Sequence, residues 1–194
     1  LARLLASMKD DNGRVLIEHY YDGIAPLGEA ERLAIAEAPV MDTELKRDMW
    51  LGSTEGAPKK LAELITLPSL NIRGMSSART GPTSSNVVPA TATALIDARI
   101  VYGMSKEATA QRIVEHIRKQ GFFVVDSEPD AATRMAHPKV AMVKISTGSD
   151  PIHTPMNLPI SQDLIKTLES VRGPAVKIPN TGASGAQGKM EETL

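Results

Sequence analysis

The chain contains no cysteine, few aromatic residues and no long apolar run. The absence of cysteine excludes disulfides, thiolate metal ligands and a cysteine nucleophile from these residues, and it leaves the cellular compartment open. Aromatic residues make up only 3% of the chain and no basic run is interleaved with them, so we expect no nucleic acid partner. No apolar run approaches the roughly 20 residues that cross a bilayer, so we expect no membrane-spanning helix.

Motifs of catalysis are also missing. The four histidines show no metal-ligand spacing with one another or with acidic residues, so we expect no metal bound by this chain. Among them, only His153, in a proline-rich linker, is a candidate site residue. Ser184, in the run TGASGA, lacks the G-x-S-x-G context of a hydrolase nucleophile. Taken alone, the residues indicate a scaffold without catalytic machinery.

The clearest pattern in the chain covers residues 91–101, where the two faces of a predicted strand alternate. Small or branched apolar residues occupy every second position from Ala92 to Ile100. A period of two predicts a strand with one buried side. Asp97 and Arg99 lie two residues apart and therefore share the opposite face.

The segments around this strand predict the fold class. Gly103 ends the strand, Ser105 can cap a helix, and apolar residues then recur at helical spacing up to Gly121. A shorter strand is predicted at 70–73, and further strands at 122–125 and 140–145. The prediction is an α+β fold, in which an antiparallel sheet carries helices on one face.

The remaining segments predict an insertion and a boundary. Residues 13–67 contain several short helical patterns, which indicate a helical insertion before the sheet. The glycines and prolines from Gly148 to Pro159 are typical of a domain boundary, and Ser161 can cap a last helix beyond it. The first helical stripe has no cap, from which we expect an excised fragment of a longer protein.

One stretch resembles a known family. The run PSLNIRGMSS, then TGPTSSNVVPATATALIDARIVYGMSKEATAQRIVEHIRKQGFFVV, resembles the lid, or dimerisation, domain of the zinc-dependent exopeptidases that include carnosine dipeptidases, aminoacylases and acetylornithine deacetylase. Flanking segments extend the resemblance: LARLLASMKDDNGRVLIEHYYDGIAPLGEAE is similar to the first lid helix and its continuation. HTPMNLPISQDLI and IPNTGASGA are similar to the return into the catalytic domain.

The resemblance implies an architecture and an activity for a longer parent protein. Residues 1–148 would form a lid of ferredoxin-like type, and 149–194 an incomplete part of an α/β catalytic domain. The parent would use zinc, held by motifs outside this chain, to hydrolyse a dipeptide or an N-acyl amino acid. The chain alone would bind no zinc and be inactive, and it would form a homodimer through a sheet edge and a helix of the lid.

The resemblance also implies roles for five residues of this chain. Arg99 corresponds to an arginine that clamps the substrate carboxylate, and Asn86 to a polar residue that reaches the partner subunit's site. Gly182 and Ser184 fall on a loop that contacts the carboxylate end of the substrate, although Ala183 replaces a glycine there. His153 stands where relatives often have arginine before Thr-Pro-Met, as a further substrate contact.

Two other interpretations stay open from the sequence. A stand-alone ferredoxin-like domain that self-associates or binds a small ligand would show the same alternation. A degenerate relative without catalysis would account for the altered loop at Ala183.

Overall fold

The computed structural model describes residues 1–146 and 148–179, and these form two compact units. The first unit combines Leu1–Tyr20, Ser69–Arg99 and Lys106–Gly148, and the second combines Tyr21–Pro68, Ile100–Ser105 and the residues from Ser149 onward. None of the helices in these described ranges is both long and apolar enough to span a membrane.

In the described residues, four helices come before the first strand, and strands and helices alternate from Ala92 onward. In the first unit they are α1 (Ala2–Ala6), β1 (Ser69–Ser77), a 3₁₀ turn (Gly81–Thr83), β2 (Ala92–Arg99), α5 (Lys106–Lys119), β3 (Phe123–Val125), α6 (Ala131–Ala136) and β4 (Val140–Met142). In the second unit they are α2 (Glu29–Glu37), α3 (Asp42–Asp48), α4 (Leu61–Leu64) and α7 (Pro159–Arg172).

The long predicted strand and its shorter neighbour form an antiparallel ribbon. Ser69 lies opposite Arg99 and Ser77 opposite Ala92, with an irregularity in register between Ile72 and Gly74. Leu70, which is opposite Ala98, is only 1% exposed. The sequence prediction of a mixed helix and sheet fold with an antiparallel strand pair is therefore confirmed.

The last two strands correct part of the sequence prediction. β3 pairs with β4 in parallel, with Phe123 opposite Val140, and in the described residues this pair and the β1–β2 pair are separate two-stranded sheets. The prediction of one antiparallel sheet was wrong for β3 and β4. The physical reason is their connection, because α6 lies between them and a helical crossover lets a second strand return in the same direction.

Helix α5 follows the ribbon as the sequence predicts. At its end, the N–H of Gly121 donates to the carbonyl of Arg118 and the N–H of Phe122 to that of Ile117. This pair of bonds is the Schellman motif, which requires the left-handed conformation that Gly121 adopts at φ +84°. Val114 and Ile117 of α5 are buried.

His116 of α5 takes part in a buried hydrogen bond to the end of α1. Ser7 Oγ donates its only proton to the carbonyl of Leu4 at 2.7 Å, so at 2.9 Å it accepts from Nε2 of His116. Because the hydroxyl proton is already committed, Ser7 is not an activated nucleophile. Burial, with the nearby Lys119 charge, lowers the pKa of His116 and favours the neutral imidazole.

This histidine makes the stability of the chain pH-dependent. The unfolded chain takes up a proton on His116 at the ordinary imidazole pKa of about 6.5, whereas the folded chain takes it up only at lower pH. We therefore expect the free energy of unfolding to fall as the pH drops below about 6.5 and to gain nothing from this group above pH 7. His116→Gln should flatten that slope in urea titrations between pH 7 and 5. An unchanged slope in the variant would contradict the assignment.

The second unit corrects one helix start. α7 begins at Pro159 after Leu158, not at a cap by Ser161, because Ser161 Oγ instead donates to the carbonyl of Pro155 at 3.0 Å. α4 begins after Lys60. Residues 13–67 contain the helices α2, α3 and α4.

Candidate functional site

The polar face of β2 ends in an exposed guanidinium. Arg99 is the last residue of the strand, with a side chain 55% exposed, and its Nε donates a 2.8 Å hydrogen bond to Oδ2 of Asp97. Among the described residues no other bond is made to this guanidinium, so four of its five N–H donors are available. The Nη edge is therefore open to a planar anion such as a carboxylate, which it fits with two parallel hydrogen bonds.

Asn86 precedes β2 in the chain. It is exposed in the segment between the 3₁₀ turn and β2, whereas Arg99 closes β2. The eight residues of β2 put its two ends roughly 23 Å apart at about 3.3 Å per residue. The strand thus lies between the segment that carries Asn86 and the position of Arg99 in the chain.

His153 lies in a pocket of the second unit. The cavity has a volume of about 290 Å³. Polar side chains on its wall come from Glu31, Thr66, Tyr102, His153 and Asn157. The imidazole of His153 lies beside the ring of Tyr102 at a centroid separation of 5.3 Å, and its Nε2 is 3.6 Å from Oε1 of Glu31.

Glu31 is the residue that sequence reasoning missed. It is the third residue of α2 and is only 2% exposed. The backbone N–H of Met156 donates to its Oε1 at 2.8 Å, and its Oε2 lies so close to Gly28 that a Cβ there would meet it at 2.3 Å. The one signal in the sequence was a glutamate at the third helical position, which commonly reaches back to the helix start.

The surroundings of Glu31 keep it ionised. The Met156 N–H, the backbone N–H groups of Glu31 and Gly28 and the neighbouring His153 lower the pKa of this carboxyl, against burial, which raises it. Because the pKa in the folded state is the lower one, this stabilisation is present near neutral pH and is lost on acidification. The arrangement is a buried carboxylate held by backbone donors beside an imidazole.

The loop carrying Tyr102 is fixed by close backbone packing. The N–H of Ala25 donates to the carbonyl of Tyr102 at 2.9 Å. Gly103 adopts φ +91°, and a Cβ on it would lie 2.2 Å from the carbonyl oxygen of Gly23 and 2.7 Å from the nitrogen of Ala25. Only glycine fits this position without moving the backbone.

Two of the predicted substrate contacts, and any metal ligands, remain to be located. Gly182 and Ser184 lie outside the described residues. Within the described residues no three histidine, aspartate or glutamate side chains are grouped in a way that suits a metal ion. The donor set of the described residues therefore does not fit a zinc centre.

The chain belongs to a family of peptidase domains. The family model described as "Peptidase dimerisation domain", of the M20 peptidases, matches residues 1–122, which include α1, the β1–β2 ribbon and α5. The resemblance to the lid of these exopeptidases is thereby confirmed.

Individual relatives agree with this membership. The chain is 27% identical over 122 residues to a protein named Beta-Ala-His dipeptidase from Mus musculus, covering 60% of this chain and 24% of that protein. The protein of the same name from Rattus norvegicus is 26% identical over 121 residues, with the same shares. The chain thus spans about a quarter of the length of these curated relatives.

Solved structures match nearly the whole chain. An M20 family metallo-carboxypeptidase, Sso-CP2 from Sulfolobus solfataricus, has a TM-score of 0.75 at 26% identity, covering 96% of this chain and 45% of that one. Human carnosine dipeptidase 1 has a TM-score of 0.72 at 19% identity, covering 98% and 38%. At 19% identity the second likeness shows the fold alone.

Proposed function

We propose that this chain is the lid and dimerisation segment of a zinc-dependent exopeptidase that hydrolyses a dipeptide or an N-acyl amino acid. The observation that carries the proposal is the exposed guanidinium of Arg99 at the end of β2, within the residues that the family model matches. The zinc ligands are expected outside these residues, and the chain by itself is expected to be inactive.

Arg99 is proposed to clamp the carboxylate of the substrate. Its Nε is already held by Asp97, which leaves the Nη edge oriented and free of other described partners. A guanidinium fixed at one nitrogen loses less rotational freedom when it binds a carboxylate than a free one does. The same bond keeps the carboxylate of Asp97 beside Arg99 in the absence of substrate. This negative charge lowers the free-energy cost of leaving the Nη edge without a bound anion.

Asn86 is proposed to act on the site of the partner subunit. Asn86 lies in the segment that precedes β2, whereas Arg99 is the last residue of β2, so we take the two residues to serve one substrate from different chains. These are the roles that the family resemblance implies, with Arg99 on the substrate carboxylate and Asn86 at the site of the partner subunit. His153, Gly182 and Ser184 are proposed as further substrate contacts, His153 from the wall of its pocket.

The homodimer is proposed to form through the free edge of β2 and a helix of the lid. Within the described residues β2 pairs only with β1, so its other edge carries unpaired backbone groups. Large apolar side chains are exposed on and before this strand: Leu95 at 64%, Val87 at 71% and Val88 at 91%. An uncovered strand edge with exposed apolar side chains is the pattern of a surface that is covered in the assembly.

The ferredoxin-like layout is part of the same proposal. It requires the β1–β2 and β3–β4 pairs to belong to one sheet, joined through the edge of β1 that is free in the described residues, because the free edge of β2 is assigned to the partner. Hydrogen exchange of the β1 amides that point away from β2 reports whether a strand covers them in the assembled protein.

Self-association tests the proposal directly. Leu95→Lys places a charge on the predicted interface and is expected to weaken the dimer at least tenfold, as measured by sedimentation equilibrium. Met135→Lys is the matched control, because Met135 is 89% exposed and belongs to α6, which is not part of the β1–β2 ribbon. Equal weakening by both variants, or a wild-type chain that stays monomeric at all concentrations, would contradict the proposed interface.

A further inference from the structure

We propose that Glu31 is a positioning residue: its buried carboxylate holds the segment 153–157 against the start of α2 and thereby fixes His153 on the wall of the pocket. The inference deepens the proposed function and depends on it in one respect, since His153 is there assigned to the substrate. The hold on the segment itself is a statement about this chain alone.

Glu31 is an ionised group that is buried. A carboxylate at 2% exposure is costly unless hydrogen bonds and charges compensate it. Capping its own helix accounts for Oε2, which faces Gly28. It does not account for Oε1, which faces the segment 125 residues further along the chain and accepts the N–H of Met156.

The segment 153–157 depends on the bond between Met156 and Glu31 for its position against α2. The carbonyl of Met156 accepts from Nε2 of Gln162 at 2.7 Å and the carbonyl of Pro155 from Ser161, so both carbonyls point to α7. The bond that ties Met156 to α2 is the one to Glu31. Without it, residues 155 and 156 keep their hydrogen bonds to α7 and lose this hydrogen bond to α2.

The same carboxylate oxygen of Glu31 also lies near the imidazole of His153. Oε1 of Glu31 is 3.6 Å from Nε2 of His153 and 2.8 Å from the nitrogen of Met156. The other neighbour of the imidazole is the ring of Tyr102. A carboxylate oxygen placed between the two residues sets both the path of the backbone and the direction of the imidazole.

Amide hydrogen exchange of the 194-residue chain tests the hold, with Met156 as the reporter. In Glu31→Gln the charge-assisted bond is lost, and we expect exchange at Met156 to accelerate at least tenfold. Glu31→Asp keeps the charge and is one methylene too short to reach both Gly28 and Met156, so it provides the same test if the glutamine variant does not fold. Glu29→Gln is the matched control, because it removes an exposed carboxylate from the same helical turn and should leave Met156 within twofold of the wild type.

The results separate this inference from the proposed function. Accelerated exchange confined to residues 28–32, with Met156 unchanged, would show that Glu31 only caps α2 and would overturn the inference. In the protein that carries this chain, Glu31→Gln should raise KM for a dipeptide with little change in kcat, and should add nothing to His153→Ala. Accelerated exchange at Met156 with KM unchanged would support the hold and overturn the substrate role of His153.

Discussion

Replacing Arg99 with alanine in the protein that carries this chain is expected to lower kcat/KM for its substrate about 100- to 1,000-fold. Loss of a guanidinium that binds a desolvated carboxylate typically costs about 3 to 4 kcal/mol, because the carboxylate is left without its partner. The steady-state rate with a dipeptide measures the effect. Since the carboxylate is bound in both the ground state and the transition state, we expect a large part of the loss in KM.

Two variants control for charge and for folding. Arg99→Lys keeps the charge without the two-pronged geometry and should recover only part of the loss. Arg73→Ala removes an exposed arginine of β1 and should leave kcat/KM within about twofold. If Arg99→Ala behaves like Arg73→Ala, Arg99 does not contact the substrate.

The second large effect is expected at Leu70. Leu70→Ala should lower the free energy of unfolding by about 3 kcal/mol, because the side chain is 1% exposed and its removal leaves a cavity beneath the ribbon. Urea unfolding followed by circular dichroism measures the change. A loss of this size would leave a protein of ordinary stability only marginally folded.

The control for Leu70 is a leucine of the same unit. Leu16 is 49% exposed, so Leu16→Ala removes the same atoms with much less loss of burial and should cost less than about 1 kcal/mol. Similar losses in the two variants would mean that the β1–β2 ribbon does not cover a packed core at Leu70.

The sequence was informative where a local pattern is long enough to determine the structure. β2 and α5 were predicted because eight alternating residues and fourteen helical ones each give a period, and Gly121 marks the helix end. β3 and β4 have three residues each, too few to encode the direction of pairing. The parallel pair was therefore missed.

The candidate site divides in the same way. Alternation placed Asp97 and Arg99 on one face, and their hydrogen bond follows from that placement. Glu31 was missed because its partner lies 125 residues away and no pattern near either residue reports a tertiary contact. Ser161 was misassigned as a helix cap because a serine hydroxyl can bond to several nearby backbone groups, and here it bonds to a carbonyl.

The close packing at Gly103 restricts how this protein can drift during evolution. Any substitution there must displace the carbonyl of Gly23 and the nitrogen of Ala25 together, and with them the bond that holds Tyr102. A viable replacement therefore needs simultaneous changes in two segments about 80 positions apart in the sequence. Gly103 is consequently a position where a single exchange is not accepted without a compensating change elsewhere.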